Sequence, residues 1–222
     1  MLHQIKAVTA DLVLINGVPI NGMENGKVYW SNWSGLSDVS QFIQVQRGLG
    51  ASALGISSVG GTMNMVTKST EAQKGGSAYF GIGNDGFRKY SVSFSTGLMD
   101  NGWAITFMGS LNTGDGYVKG TNYEGWTYFG NISKVINDHH KLSLTAFGAP
   151  QWHNQRSTMH YIEDYKNSPD GGRFNNGYGY INGEAVGSGY GYNYYHKPQV
   201  SLNHYWTIDE KSTLTTSLYG SM

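Results

Sequence analysis

The sequence predicts a mainly β chain, with about seven antiparallel strands of an incomplete transmembrane β-barrel in its second part. Three observations predict it: a glycine- and aromatic-rich, charge-poor composition; strict apolar/polar alternation in blocks; and connections that alternate between short and long.

Of 222 residues, 32 are Gly, 16 Tyr and 6 Trp, and only 14% are charged, against roughly 25% in an average globular chain. Fifteen basic residues balance fifteen acidic ones, and zero net charge offers nucleic acid no basic surface. No cysteine is present, so disulfides, thiolate metal sites and a cysteine nucleophile are excluded. The longest aliphatic run, Leu12 to Ile15, is far below the ~20 residues of a membrane helix. Asn-Gly occurs six times, beginning at Asn16, Asn21, Asn25, Asn101, Asn176 and Asn182, and marks turns needing positive φ.

Period-2 blocks begin after Lys74-Gly75-Gly76. Ser77–Gly83 is the first candidate strand. Tyr90, Val92 and Phe94 then alternate with three serines. Trp103, Ile105, Phe107 and Leu111 oppose Ala104, Thr106, Met108 and Ser110, and Trp126, Tyr128 and Ile132 oppose Thr127, Phe129, Asn131 and Ser133. Leu142 and Leu144 oppose Ser143, Thr145 and Phe147; Val200, Leu202, His204 and Trp206 oppose Ser201, Asn203 and Tyr205. Leu214 and Leu218 stand among threonines and serines as the seventh. Each has one apolar and one small-polar face. A soluble sandwich carries Lys and Glu on its polar face; Ser, Thr and Asn suit a crowded or water-filled lumen, and terminal Trp and Tyr suit interfacial girdles.

Leu98–Gly102, Ile136–His140 and Asp209–Lys211 are short, whereas Gly114–Gly125 is longer and Gln151–Tyr195 runs 45 residues. Outer-membrane barrels show this asymmetry. The 45-residue segment holds eight Tyr, eight Gly, six Asn and Trp152. Such a mixture is either a binding surface, where rigid rings stack on a ligand, or an external loop whose rings pack on neighbours. The candidate ligand contacts are Trp152, Tyr178, Tyr180, Tyr190 and Tyr192.

Other motifs carry less. Gly81-Ile82-Gly83-Asn84-Asp85-Gly86 fits GxGxxG, but a strand follows where a dinucleotide site needs a helix, so it reads as a hairpin turn. The sequons at Asn32 and Asn131 carry no weight. His139-His140 reads as a solvated turn, and His153 and His160 lack a carboxylate or Cys at ligand spacing. No Ser/His/Asp or paired-carboxylate arrangement is spaced for catalysis, so neither an enzyme, a metal nor a cofactor is expected.

The first 74 residues resemble part of a known domain. Leu14-Ile15-Asn16-Gly17-Val18-Pro19-Ile20-Asn21 resembles the "VDGVPLND" segment of the plug in TonB-dependent outer-membrane receptors. Met23–Gly26 and Val28–Trp33 look like the following plug segment. Ile43-Gln44-Val45-Gln46-Arg47-Gly48 is similar to "IEVLRGP". Ser52-Ala53-Leu54-Gly55 and Gly60-Gly61-Thr62-Met63-Asn64-Met65-Val66-Thr67-Lys68 match "SALYG…GGVINIITK", in family order over about 55 residues.

The resemblance implies a partial plug over 1–74 and the N-terminal portion of a transmembrane barrel over 75–222. Its plug-motif residues here are Asn16, Gly17, Pro19, Arg47, Gly48, Gly55, Gly60, Gly61 and Asn64. Arg47 is expected to pair with barrel carboxylates inside the lumen. Leu49, Asn16 and Gln44 depart from the family's Pro, Asp and Glu, which weakens the expected polar contacts. The family's function implies a bacterial outer-membrane active transporter in contact with outer-membrane lipid. It would bind a scarce siderophore, cobalamin or glycan, a small-molecule or oligosaccharide ligand, and draw energy from TonB–ExbB–ExbD. A rival reading is a soluble or secreted glycan-binding β module. With no signal peptide, TonB box or first half of the plug, and seven strands where the family barrel has 22, a fragment is expected.

Overall fold

The structure, a computed structural model, describes residues 11–48, 60–156, 159–182, 184–186 and 192–222. The N-terminal sheet has order β2-β1-β4-β3 and is built from β1 (Asp11–Ile15), β2 (Val18–Pro19), β3 (Ser40–Arg47) and β4 (Gly61–Thr67). β1 and β4 run parallel with Leu14 opposite Asn64, while β3 and β4 are antiparallel with Ile43 opposite Met65. A two-residue turn at Asn16-Gly17, both with positive φ (50° and 82°), closes β1 onto β2. Between β2 and β3 the chain forms a 3-10 turn at Trp30–Trp33 and the short helix α1 (Leu36–Val39).

The second sheet is a meander. β5 (Gly75–Ile82), β6 (Arg88–Leu98), β7 (Trp103–Gly114), β8 (Tyr123–Val135) and β9 (His140–Gly148) pair in order. After a long excursion come the last two wall strands, and this excursion contains β10 (Gln151–His153), α2 (Ile162–Asn167), β11 (Gly179–Ile181), β12 (Glu184–Val186) and β13 (Asn193–Tyr195). The last two strands are β14 (Gln199–Thr207), which pairs with β9, and β15 (Thr213–Ser221), which pairs with β14. All seven wall strands expected from alternation are therefore present, antiparallel, with β5 and β15 as open edges.

The excursion is not structureless. β10 pairs with the start of β8 and with β13, so the sheet continues past the wall by two short strands. Antiparallel order puts connections 83–87, 115–122 and 149–198 at one rim, and 99–102, 136–139 and 208–212 at the other. We call these the long rim and the short rim.

Polarity is reversed relative to a water-soluble sheet. Thr106, Ser110, Thr127, Asn131, Ser133, Ser143, Thr145, Ser201 and Asn203 are buried, whereas Ile105, Phe107, Ile132, Leu144, Leu202 and Leu218 are exposed. The N-terminal sheet lies against the polar face. Its core of Val13, Ile15, Ile20, Trp33, Leu36, Val39 and Met65 meets the wall's Met108, Phe129, Phe147 and Ala149. Trp33 stacks on Phe147 at 5.8 Å. Around Asn131 the small polar side chains satisfy one another: Asn131 Nδ2 donates to Ser143 Oγ and Thr145 Oγ1 at 2.8 Å, and Ser133 Oγ donates to Asn131 Oδ1 at 2.7 Å. A buried polar group without such a partner would cost roughly 1–3 kcal/mol. Facing outward, Trp126 and Tyr128 stand near the long rim, Trp103 and Trp206 near the short one. From Trp126 to the level of Trp103 is roughly 26 Å along β8 at ~3.3 Å per residue, matching the ~25 Å apolar band of a membrane barrel.

Candidate functional site

The turn at Asn16-Gly17 is held by side chains that the sequence singles out. Asn16 Nδ2 donates to Thr67 Oγ1 at 2.8 Å while its Oδ1 accepts the Thr67 N–H at 2.9 Å. Gly17 N–H donates to Asn64 Oδ1 at 3.0 Å, and Asn64 Nδ2 donates to Gln44 Oε1 at 3.0 Å. Asn16 uses both ends of its amide, which a carboxylate could not do, so this departure from an acid leaves the lattice satisfied, while Gln44 accepts through Oε1 as a carboxylate would. Pro19 pairs opposite Leu14 on β2, where no ladder N–H is asked of it. Asn203 Nδ2 donates to the Asn16 carbonyl at 3.2 Å and so joins this turn to the wall.

Gly61 has φ +119°, and a Cβ there would lie 2.4 Å from the Gln46 carbonyl oxygen, so β3 approaches β4 only because this side chain is absent. Gly60 precedes it, and Gly48 follows β3 with φ +73°. Gly55 lies outside the described residues. Arg47 is exposed opposite Gly61 and makes no ion pair among the described residues.

Plug-like and wall elements are linked by directional bonds near the long rim. Lys89 Nζ meets Asp38 Oδ2 at 2.6 Å, Thr127 Oγ1 donates to the Ser34 carbonyl at 2.9 Å, and Asn112 Nδ2 donates to Ser34 Oγ at 3.3 Å. Sequence reasoning did not pick out Asp38 and Lys89, because neither is in a motif and they are 51 positions apart.

Two cavities flank this contact. One, of about 350 Å³, opens between the 22–33 segment and the end of the long excursion, with Met23, Glu24, Lys27, Tyr29, Tyr195 and Lys197 on its walls. Register explains Tyr195: it pairs with Gln151, which pairs with Gly125, placing it on the inward face with Thr127. The other, of about 440 Å³, separates Asp38–Gln41 from β5–β7 and is lined by Lys68, Glu71 and Lys74 and by Ser93, Ser95 and Thr106 of the wall.

The tyrosine-rich segment distributes its rings differently from a single ligand cluster. Trp152 pairs with Glu124 and Tyr194 on the outward face and stacks with Tyr192 at 6.2 Å. Tyr178 lies against Gly120, Tyr180 is in β11, and Tyr190 lies outside the described residues. Arg173 ties the long-rim connections together: its Nη1 is 2.7 Å from Asp85 Oδ1 and its guanidinium lies 4.7 Å from the Tyr117 ring centre. Among the described residues, no group of three or more His, Asp or Glu stands together to hold a metal ion.

No protein-family model matches the sequence, and no curated protein does. Solved structures do. The siderophore receptor PiuA from Acinetobacter baumannii superposes with a TM-score of 0.66 at 16% identity, over 95% of this chain and 28% of that one. The ferripyoverdine receptor of the Pseudomonas aeruginosa outer membrane gives 0.68 at 13% identity, over 96% of this chain and 27% of that one. The unliganded ferric citrate transporter FecA gives 0.67 at 16%, over 96% and 31%. The chain thus spans less than a third of the length of each. Its fold is that of part of a TonB-dependent outer-membrane receptor: plug strands seated on the polar face of an unclosed barrel wall.

Proposed function

We propose that this chain contributes plug and barrel wall, meeting near residue 74, to an outer-membrane transporter that captures and imports a scarce ligand, a ferric chelate in preference to the cobalamin and glycan classes. The observation that carries this is the reversed polarity of the wall, apolar outward and hydroxyl- and amide-lined where the plug docks. Apolar side chains facing lipid are stabilised there, and polar ones facing a lumen are paired or hydrated. The neighbours' names, receptors for siderophores and ferric citrate, support the ligand class.

The 350 Å³ cavity at the long rim is the capture point. Tyr29 and Tyr195 supply flat apolar surface, and Lys27 and Lys197 attract an anionic chelate against the single carboxylate of Glu24. Trp152 and Tyr192, stacked outward, belong to the rim that frames it. Binding shifts the plug only as far as its affinity differs between plug conformations. TonB–ExbB–ExbD supplies the energy that opens the polar gap beside Asp38, whose hydroxyl lining suits hydrated solute. No residue of the chain performs bond chemistry in this scheme.

The test is uptake by cells with and without the gene encoding this chain, using 55Fe as ferric citrate, a ferric catecholate and ferripyoverdine, each with and without a protonophore. Loss of protonophore-sensitive uptake of one chelate on deletion is expected. Unchanged uptake of all three, with a glycan or cobalamin transported instead, would overturn the ligand class.

A further inference from the structure

The outward face of the wall is apolar through its middle, and at its short-rim end a cluster of polar side chains interrupts it. Near the short rim, Lys134 of β8, His140 of β9 and His204 of β14 all project from it around Leu142, which pairs with Lys134 on one side and His204 on the other. Trp103 pairs with Lys134, and Trp206 pairs with His140, so an indole borders the cluster on each flank.

The side chains are organised rather than merely adjacent. His140 Nδ1 and His204 Nε2 are 3.1 Å apart with the ring planes nearly parallel (15°), so one hydrogen bond joins the two rings. His140 also stacks with Trp206 at 5.5 Å. Two neutral imidazoles carry two protons. One lies in the shared bond, and in either tautomer the other leaves an N–H on a free ring nitrogen. Lys134 Nζ lies 5.2 Å from the Trp103 ring centre and donates to the Asn101 carbonyl, which uses one of its three N–H groups. His139, next in sequence, is employed elsewhere: its Nδ1 binds the Thr207 carbonyl at 2.7 Å.

No acidic residue projects outward from the short-rim ends of β7, β8, β9, β14 or β15. Asp100, Asp138, Asp209 and Glu210 are in the short-rim turns beyond the strand ends. A cation and an N–H donor between two indoles, at the edge of an apolar band, complement one anionic group at lipid depth.

The geometry points to a binding site for the phosphodiester of a glycerophospholipid, held by Lys134 with His140 and His204 while Trp103 and Trp206 flank its glycerol and upper acyl chains. Lys134 acts as the charge and the histidine pair as an N–H donor. The proposal rests on the barrel reading, and commits to a membrane lipid as occupant because the cluster faces the same side as Ile132, Leu144 and Leu202.

The test uses the intact outer-membrane protein that carries this chain, purified in mild detergent and delipidated. Native mass spectrometry follows incubation with phosphatidylglycerol, with diacylglycerol, or with phosphatidylglycerol plus millimolar inorganic phosphate. One phosphatidylglycerol is expected to persist under activation that strips diacylglycerol, and inorganic phosphate is expected not to displace it. K134Q and the K134Q/H204Q pair should lower retention at least fivefold, K134R should restore it, and H139Q should leave it unchanged. Equal retention by wild type and K134Q, or displacement by inorganic phosphate, would overturn the site. Heat-modifiable electrophoretic mobility checks that each variant is a folded barrel. A wild type without it would overturn the barrel reading and the lipid site together, whereas a folded barrel indifferent to K134Q would overturn the lipid site alone.

Discussion

Thr127 Oγ1 donates to the Ser34 carbonyl oxygen at 2.9 Å, joining wall and plug elements across 93 positions of chain. The contact is possible because the next residue is glycine. Gly35 has φ +76°, and a Cβ there would stand 2.6 Å from Thr127 Oγ1.

Gly35→Ala is therefore expected to lift α1 from the wall. The left-handed backbone alone costs about 1–2 kcal/mol, and the clash adds to it. Limited proteolysis of the 22–39 segment in the folded protein should accelerate, and Thr127→Gly in the same chain should recover part of the loss. Unchanged proteolysis in the single variant would show that α1 does not depend on this contact.

Lys89 and Asp38 form the ion pair nearest that contact, with side chains only about a quarter exposed (24% and 26%). A double-mutant cycle with Lys89→Met and Asp38→Asn should give a coupling of about 1 kcal/mol, larger than the few tenths typical of fully exposed pairs. Additive single effects would mean that the pair does not hold the plug.

Asn131 is buried and spends its amide on Ser143, Thr145 and Ser133. Asn131→Ala takes the side-chain partner from Thr145 Oγ1 and leaves Ser133 and Ser143 bonded only to each other at 2.9 Å, and urea titration in lipid vesicles should show a loss of roughly 1–3 kcal/mol. Ser91→Ala, on the same face but only half-buried, should change little. Equal effects would argue that the inner face is hydrated rather than packed.

Asp209 caps the β14–β15 turn. Hydrogen bonds from the Lys211 N–H (2.8 Å) and from Ser212 hold its carboxyl below the usual range. A lowered folded value means that the stabilisation is present above the unfolded value of about 4 and is lost as pH falls through the lowered one. Amide exchange at Lys211 and Ser212, corrected for intrinsic rates, should rise between pH 5 and pH 2 in the native chain and stay flat in Asp209→Asn. The same rise in both would assign it to another group.

Much of this architecture was legible in the sequence, for physical reasons that also mark its limits. Alternation revealed β5–β9, β14 and β15, because each strand carries apolar side chains on one face and small polar ones on the other. The three-residue strands β10 and β13 are too short to display a period, so Tyr195 could be placed on the inward face only once its register with Gln151 and Gly125 was known. The helix α2 was missed since it lacks a Ser, Thr, Asp or Asn N-cap; instead Asp164 Oδ2 accepts the Tyr161 N–H. The glycines and amides around Asn16 and Asn64 stood out through resemblance, yet the lattice they form needed β1 and β4 side by side. Contacts such as Asp38 with Lys89 join distant elements and leave no local pattern.

Spin labels placed singly from Ile105 to Ser110 of β7, in the intact protein in lipid bilayers, probe the outward apolar wall directly. Labels at Ile105, Phe107 and Gly109 should collide readily with dissolved oxygen and poorly with a water-soluble nickel chelate, while labels at Thr106, Met108 and Ser110 should be shielded from oxygen. A water-exposed pattern at Ile105 and Phe107, with nickel access exceeding oxygen access, would contradict the barrel reading.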